Sequence, residues 1–187
     1  MVEEARLEQN ESGLEPVTDG WFVLNVRDAT WYWNEVSGSG CWFEGPKAPF
    51  PELGVNIRVL RPGQGNGLYH AEATQEDFLV LAGECLLLVE GQERRLAPWD
   101  FVHFPPNAEH MVVAAGDGPC VILMTGTRKP GRPIVYPVSD LARRHGVGVE
   151  TETNSPAEAY AAYPEDELRR PDDWDGLPWS QPQPERM

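Results

Sequence analysis

Between residues 53 and 127 the chain alternates short apolar runs with turn residues, and no ten-residue window there has a persuasive helical period. Val55–Leu60 (VNIRVL) sets apolar and polar residues in turn, the pattern of a half-buried strand. Phe78–Leu81, Cys85–Val89, Phe101–Phe104, Met111–Ala114 and Val121–Met124 follow as short apolar runs. Arg61–Gly67 (RPGQGNG), Ala82–Glu84, Glu90–Gln92 and Gly116–Gly118 punctuate them as turn clusters. Many short strands at this spacing predict a sandwich or a closed barrel. Trp21–Val26 (WFVLNV) and Trp31–Trp33 (WYW) are rich in strand formers and predict early strands, or an edge that pairs with a second subunit.

Outside that stretch the pattern changes. Residues 1 to about 18 are polar and acidic, so they are expected to be frayed or loosely packed. Ser139 to Gly146 predicts a short helix: Ser139 caps its start, Arg143 and Arg144 suit its C-terminal end, and Gly146 falls just beyond. Ser155 followed by Pro156 repeats the start signal. From about Pro164 the chain is rich in proline and acid, but Trp174, Leu177 and Trp179 predict that it docks. The expected division is an N-terminal extension with early strands (1–52), a barrel core (53–128), and short helices with a tail packed on the barrel (129–187). The C-terminal part is expected to cover the barrel mouth. No internal repeat is found.

Composition narrows the partners. The 187 residues carry 15 basic and 30 acidic side chains, a net charge of −15. Such a surface repels phosphate backbones and anionic lipid, which argues against nucleic acid and membrane as partners. The longest apolar run, Phe78–Val89, is interrupted by Gly83 and Glu84 and is too short to span a bilayer. The N-terminus has neither a basic start nor an apolar stretch, so no signal peptide is expected and a cytoplasmic location is the default. Cys41, Cys85 and Cys120 are too few and scattered for a disulfide framework, and Cys85 and Cys120 are expected to be buried thiols.

The candidate chemistry lies in residues 63–83, GQGNGLYHAEATQEDFLVLAG. His70 and Glu72 are two apart, so an extended chain points both to one face. Glu76 starts the next apolar run, and His110 follows Pro105-Pro106-Asn107-Ala108-Glu109. Two imidazoles and one or two carboxylates facing one barrel interior form a mixed nitrogen and oxygen site suited to Fe(II), Mn(II), Ni(II) or Zn(II).

At these residues the chain resembles the cupin family. Where its first motif reads G-x5-H-x-H-x3,4-E-x6-G, this chain has His70-x-Glu72-x3-Glu76-x6-Gly83. Where the second reads G-x5-P-x-G-x2-H-x3-N, it has Trp99-x5-Pro105-x-Asn107-x2-His110-x3-Ala114. The resemblance spans residues 53–127 and implies an all-β double-stranded β-helix, or jelly-roll barrel, with one divalent metal per chain at His70, Glu72, Glu76 and His110. Glu72 stands where the family has a second histidine. It becomes either a fourth ligand or a catalytic base beside a 2-His-1-carboxylate triad. Gln64, Trp99 and Asn107 replace motif glycines and Ala114 replaces the closing Asn; Asn107 is the mild change, because Asn tolerates the left-handed region.

Other singled-out residues have plainer roles. His103 is either a pocket residue or structural, Tyr69 points away from His70 into packing, and His145 ends a helix. Trp21, Trp31, Trp33, Trp42 and Trp99 are expected in the core or an interface. The leading expectation is a metal-dependent enzyme acting on a small molecule: a dioxygenase first, a carbonyl-sugar isomerase or decarboxylase next. The alternative is a non-catalytic cupin that senses or sequesters a small ligand. A homodimer is expected from the Trp-rich segment and from small cupins in general.

Overall fold

The computed structural model describes residues 1–129, 131, 133–172 and 174–180. In chain order the strands are β1 (Leu7–Gln9), β2 (Leu14–Pro16), β3 (Trp31–Asn34), β4 (Gly38–Trp42), β5 (Leu53–Leu60), β6 (Ala71–Glu72), β7 (Glu76–Ala82), β8 (Cys85–Val89), β9 (Gln92–Leu96), β10 (Phe101–Phe104), β11 (His110–Ala114) and β12 (Cys120–Thr127). They are followed by β13 (Ile134–Val135), α1 (Asp140–Arg144), α2 (Pro156–Ala159) and β14 (Glu167–Leu168). A large antiparallel sheet runs β10-β7-β12-β5-β4-β3-β14, and a small one runs β11-β8-β9. Leu60, Phe78, Val80, Leu87, Val112 and Ile122 from the two sheets form one buried cluster. The strand pattern predicted a sandwich or closed barrel, and the structure is an all-β barrel, as the family resemblance also implies.

Both sheets are also covered on the outside. Ile57 and Val59 of β5 join Trp31, Cys41, Leu177 and Trp179 in a second cluster. The Trp31 and Trp179 rings lie 5.3 Å apart, so the C-terminal segment docks as its tryptophans suggest; residues 181–187 of the expected tail lie outside the described residues. On the small sheet, Leu88, Met111 and Val113 pack against Tyr69, Leu141 and Ala142. The α1 caps follow the sequence signals. Ser139 Oγ accepts from the Ala142 N–H at 3.2 Å, His145 is the C-cap, and Gly146 takes φ 72°. Ser155 caps α2, with Pro156 in its first turn.

Several expectations are corrected. Strand β5 is covered on both faces: Ile57 and Val59 face the outer cluster, whereas Asn56 and Arg58 line a cavity inside the barrel. Residues 1–18 are not frayed. Asn10 Oδ1 accepts from the Ser12 and Gly13 N–H groups, each at 2.9 Å, to close the β1–β2 turn. Ser12 Oγ accepts from the Trp31 N–H at 3.0 Å, which ties the turn to the barrel. Trp21–Val26 is not a strand; Trp21 makes one bridge to Glu4, and Asn25 Oδ1 then turns the chain by accepting from the Arg27 N–H at 2.9 Å. Strand β9 (QERRL) carries no apolar signal, yet it pairs with β8 from Cys85↔Leu96 to Val89↔Gln92. Strand β3 is not a free edge for a second subunit, because β14 pairs with it and the Arg169 guanidinium lies 3.7 Å over the Trp33 ring.

Trp99 is not in the core, one of the two places expected for it. It takes φ 76°, the conformation for which the motif keeps glycine, and its side chain is 74% exposed. Asn107, at a second motif-glycine position, takes φ 70°, as an Asn can. A left-handed non-glycine residue costs roughly 1–2 kcal/mol, and the greater unfolded-state freedom of glycine offsets about half of that. Trp99→Gly is therefore expected to raise stability by about 1 kcal/mol, or Tm by roughly 2–4 °C. An unchanged or lower Tm in a thermal melt would contradict it.

Candidate metal centre

The site begins with a backbone register. The His70 N–H donates to the His110 carbonyl at 3.2 Å, and the His110 N–H donates back to the His70 carbonyl at 2.8 Å. Residues paired in this way put their side chains on one face of the sheet. The imidazole centroids lie 5.0 Å apart. Glu76 opens β7 opposite Phe104 and Gly126, with the same inward parity as Phe78 and Val80. The Phe104 ring stacks on His110 at 3.7 Å between centroids and fixes its plane.

His110 Nε2 lies 3.3 Å from Glu76 Oε2, and His70 Nε2 lies 3.6 Å from the same oxygen. One ligand atom from each of the three residues falls within 4.8 Å of the others. Each ring is held from behind by the carbonyl two residues earlier: His70 Nδ1 is 2.7 Å from Leu68 O, and His110 Nδ1 is 3.0 Å from Ala108 O. A neutral ring so held donates from Nδ1 and turns its Nε2 lone pair inward. His110 Nε2 and Glu76 Oε2 are both buried without a hydrogen-bond partner among the described residues. Two lone pairs facing each other at that distance are satisfied by a proton on the imidazole or by a metal cation shared between them. Metal bonds of about 2.0–2.2 Å put neighbouring ligand atoms roughly 3.0–3.6 Å apart, and the separations of both imidazoles from Glu76 Oε2 suit a divalent ion.

Glu72 stands beside this group. Its Oε1 is 4.0 Å from His70 Nε2, and its Oε2 accepts from the Thr74 hydroxyl at 3.2 Å. It is buried and lines the same cavity, but it is not one of the three convergent residues. His103 is on the outer side, with Nδ1 2.7 Å from Asp77 Oδ1, and its pocket reading is set aside. Tyr69 packs beneath α1 as expected.

The cavity is about 240 Å³. Its wall includes His70, Glu72 and Glu76 together with Asn56, Arg58 and Tyr160. Sequence reasoning missed the last three. For Asn56 and Arg58 a signal existed, since polar residues alternate with Ile57 and Val59, but it was read as solvent-facing. Tyr160 is the C-cap of α2 and accepts from the Leu68 N–H at 2.9 Å; nothing local in the sequence points it at the barrel. Tyr136, also on the wall, comes from the segment after β13. The C-terminal part thus lines the cavity.

Residues 56–126 match the family model of the cupin domain, and the barrel that contains them has the cupin fold. No curated protein matches the chain. A structure described as a sugar phosphate isomerase, from Silicibacter pomeroyi, is 24% identical with a TM-score of 0.56 and covers 63% of this chain and 83% of its own. A polyketide cyclase from Streptomyces resistomycificus is 13% identical with a TM-score of 0.51, covering 60% and 83%. A structure described as a putative sugar phosphate isomerase, from Acidithiobacillus ferrooxidans, is 29% identical with a TM-score of 0.43 and covers 44% of this chain; the chain spans 55% of that protein. The first two share the fold.

Burial opposes charge on Glu76, but the His110 and His70 imidazoles outweigh it and hold its pKa down to about 2. Burial likewise disfavours a charged His70, and the Glu76 carboxylate overcomes this to raise the His70 pKa. In metal-free protein the Glu76 contribution to stability is full above about pH 4.5 and is lost as pH falls through about 2. The His70 contribution is full below about pH 6.5 and is lost as pH rises through its higher folded value. Thermal melts of metal-free protein are expected to show greatest stability between these limits, with a shallower acid limb in Glu76→Gln. Identical acid limbs in the two proteins would contradict the assignment.

Proposed function

We propose that this protein is a metal-dependent enzyme that converts a small molecule inside the barrel, with His70, Glu76 and His110 as ligands and Glu72 as the acid–base group. The observation that carries this reading is the pair of buried acceptors, His110 Nε2 and Glu76 Oε2, aimed at each other without a hydrogen-bond partner. A metal-free binding protein would have only a proton to place between them. Two imidazoles and one carboxylate match the facial set of Fe(II) oxygenases, and Mn, Zn and Ni suit the same donors. When bound, such an ion supplies Lewis-acid or O₂-activating chemistry. Oxygenation therefore ranks first, and isomerisation or decarboxylation of a carbonyl compound next.

The protein groups have separate tasks. The Nδ1 contacts to Leu68 O and Ala108 O orient the two rings. Phe78 and Phe104 pack around His110 and keep bulk water from that side. Glu72, outside the three-residue group but on the same wall, is placed to exchange a proton with a molecule in the cavity. Thr74 steadies its carboxylate.

Purified protein is expected to carry about one transition-metal ion per chain by elemental analysis. Glu76→Ala and His110→Ala are expected to lose it, whereas His103→Ala and Glu72→Gln are expected to keep it. Folded wild-type protein with no metal affinity would refute the reading. Loss of metal in Glu72→Gln would make Glu72 a fourth ligand instead of a base.

A further inference from the structure

We propose that Arg58 anchors a carboxylate of the substrate, so that the molecule converted is a small carboxylic acid with a hydrogen-bond donor near its acid group. This rests on the reading that the barrel cavity is the substrate site. Arg58 shares the cavity wall with His70, Glu72 and Glu76. Its Nε is buried without a hydrogen-bond partner among the described residues. Asp166 is the carboxylate whose field reaches it, but only through space, and the Trp42 ring centroid lies 5.8 Å from Cζ. A guanidinium whose Nε is shut off from water in this way gains from an anion that meets it in the cavity.

The other cavity arginine differs. Arg128 is satisfied within the chain: Nη1 donates to Glu44 Oε2 at 2.8 Å and to the Phe50 carbonyl at 3.1 Å, and Nη2 bonds Glu44 Oε1. Arg128 therefore holds the cavity rim, and Arg58 is the cation left for a ligand. The planar guanidinium fork matches a carboxylate. Two residues along the same face of β5, Asn56 Oδ1 is buried and unmatched, and it calls for a hydroxyl or N–H on the same molecule.

Calorimetric titration of lactate and salicylate, with lactamide, salicylamide and inorganic phosphate as comparators, tests the proposal on metal-loaded and metal-free protein. At least one acid is expected to bind wild-type protein at least tenfold more tightly than its neutral amide and more tightly than phosphate. Arg58→Gln is expected to remove that preference without changing metal content, and Arg58→Lys to retain part of it. Acid binding equal to amide binding, tighter phosphate binding, or no acid binding at all would overturn the proposal. The acid-against-amide comparison on wild-type protein decides it even if Arg58→Gln does not fold. Because metal-free protein is titrated in parallel, absence of metal affinity leaves the Arg58 result readable.

Discussion

Two imidazoles borne forty residues apart can serve one ion only if their strands are held in register, and here that register is two reciprocal backbone hydrogen bonds between residues 70 and 110. A slip of one residue would turn one ring out of the barrel. The flanking contacts defend the register. The Asn107 N–H is bonded to the Glu72 carbonyl, the Asn66 N–H to the Val112 carbonyl, and Asn66 Oδ1 accepts from the Val112 N–H at 3.1 Å. Glu76 is then supplied by the facing sheet, where it pairs with Gly126.

Covering both sheets from outside has a consequence for the inside. Strands β4 and β5 bury their apolar side against the N-terminal segment and the docked Trp174–Trp179 region. Their other face can therefore be polar without loss of core, and Asn56 and Arg58 occupy it. The extensions on either side of the barrel thus contribute to the site as well as to stability, and Tyr136 and Tyr160 complete its wall from the C-terminal side.

The strand-and-turn rhythm of 53–127 was legible because period-two runs and glycine turns are local signals, and the convergence of His70, Glu76 and His110 followed from motif spacing. The helix starts at Ser139 and Ser155 were equally local. What was not legible depended on tertiary cover. The polar positions of β5 look solvent-facing until Trp31 and Trp179 are known to bury the opposite side. Strand β9 has no apolar residue before Leu96 and exists through its backbone pairing with β8. Whether Glu72 joins the ligands or stands beside them turns on ångström differences and on the Thr74 hydroxyl, neither of which spacing encodes.

The central claim is that one divalent ion sits between His70, Glu76 and His110. Anomalous diffraction from crystals of the protein as purified, recorded on both sides of the absorption edge of the metal found, tests it most directly. The account predicts a single peak per chain about 2.0–2.2 Å from both Nε2 atoms and a Glu76 carboxylate oxygen. A fully ordered site with no anomalous peak there, or an ion bound only elsewhere on the chain, would contradict it.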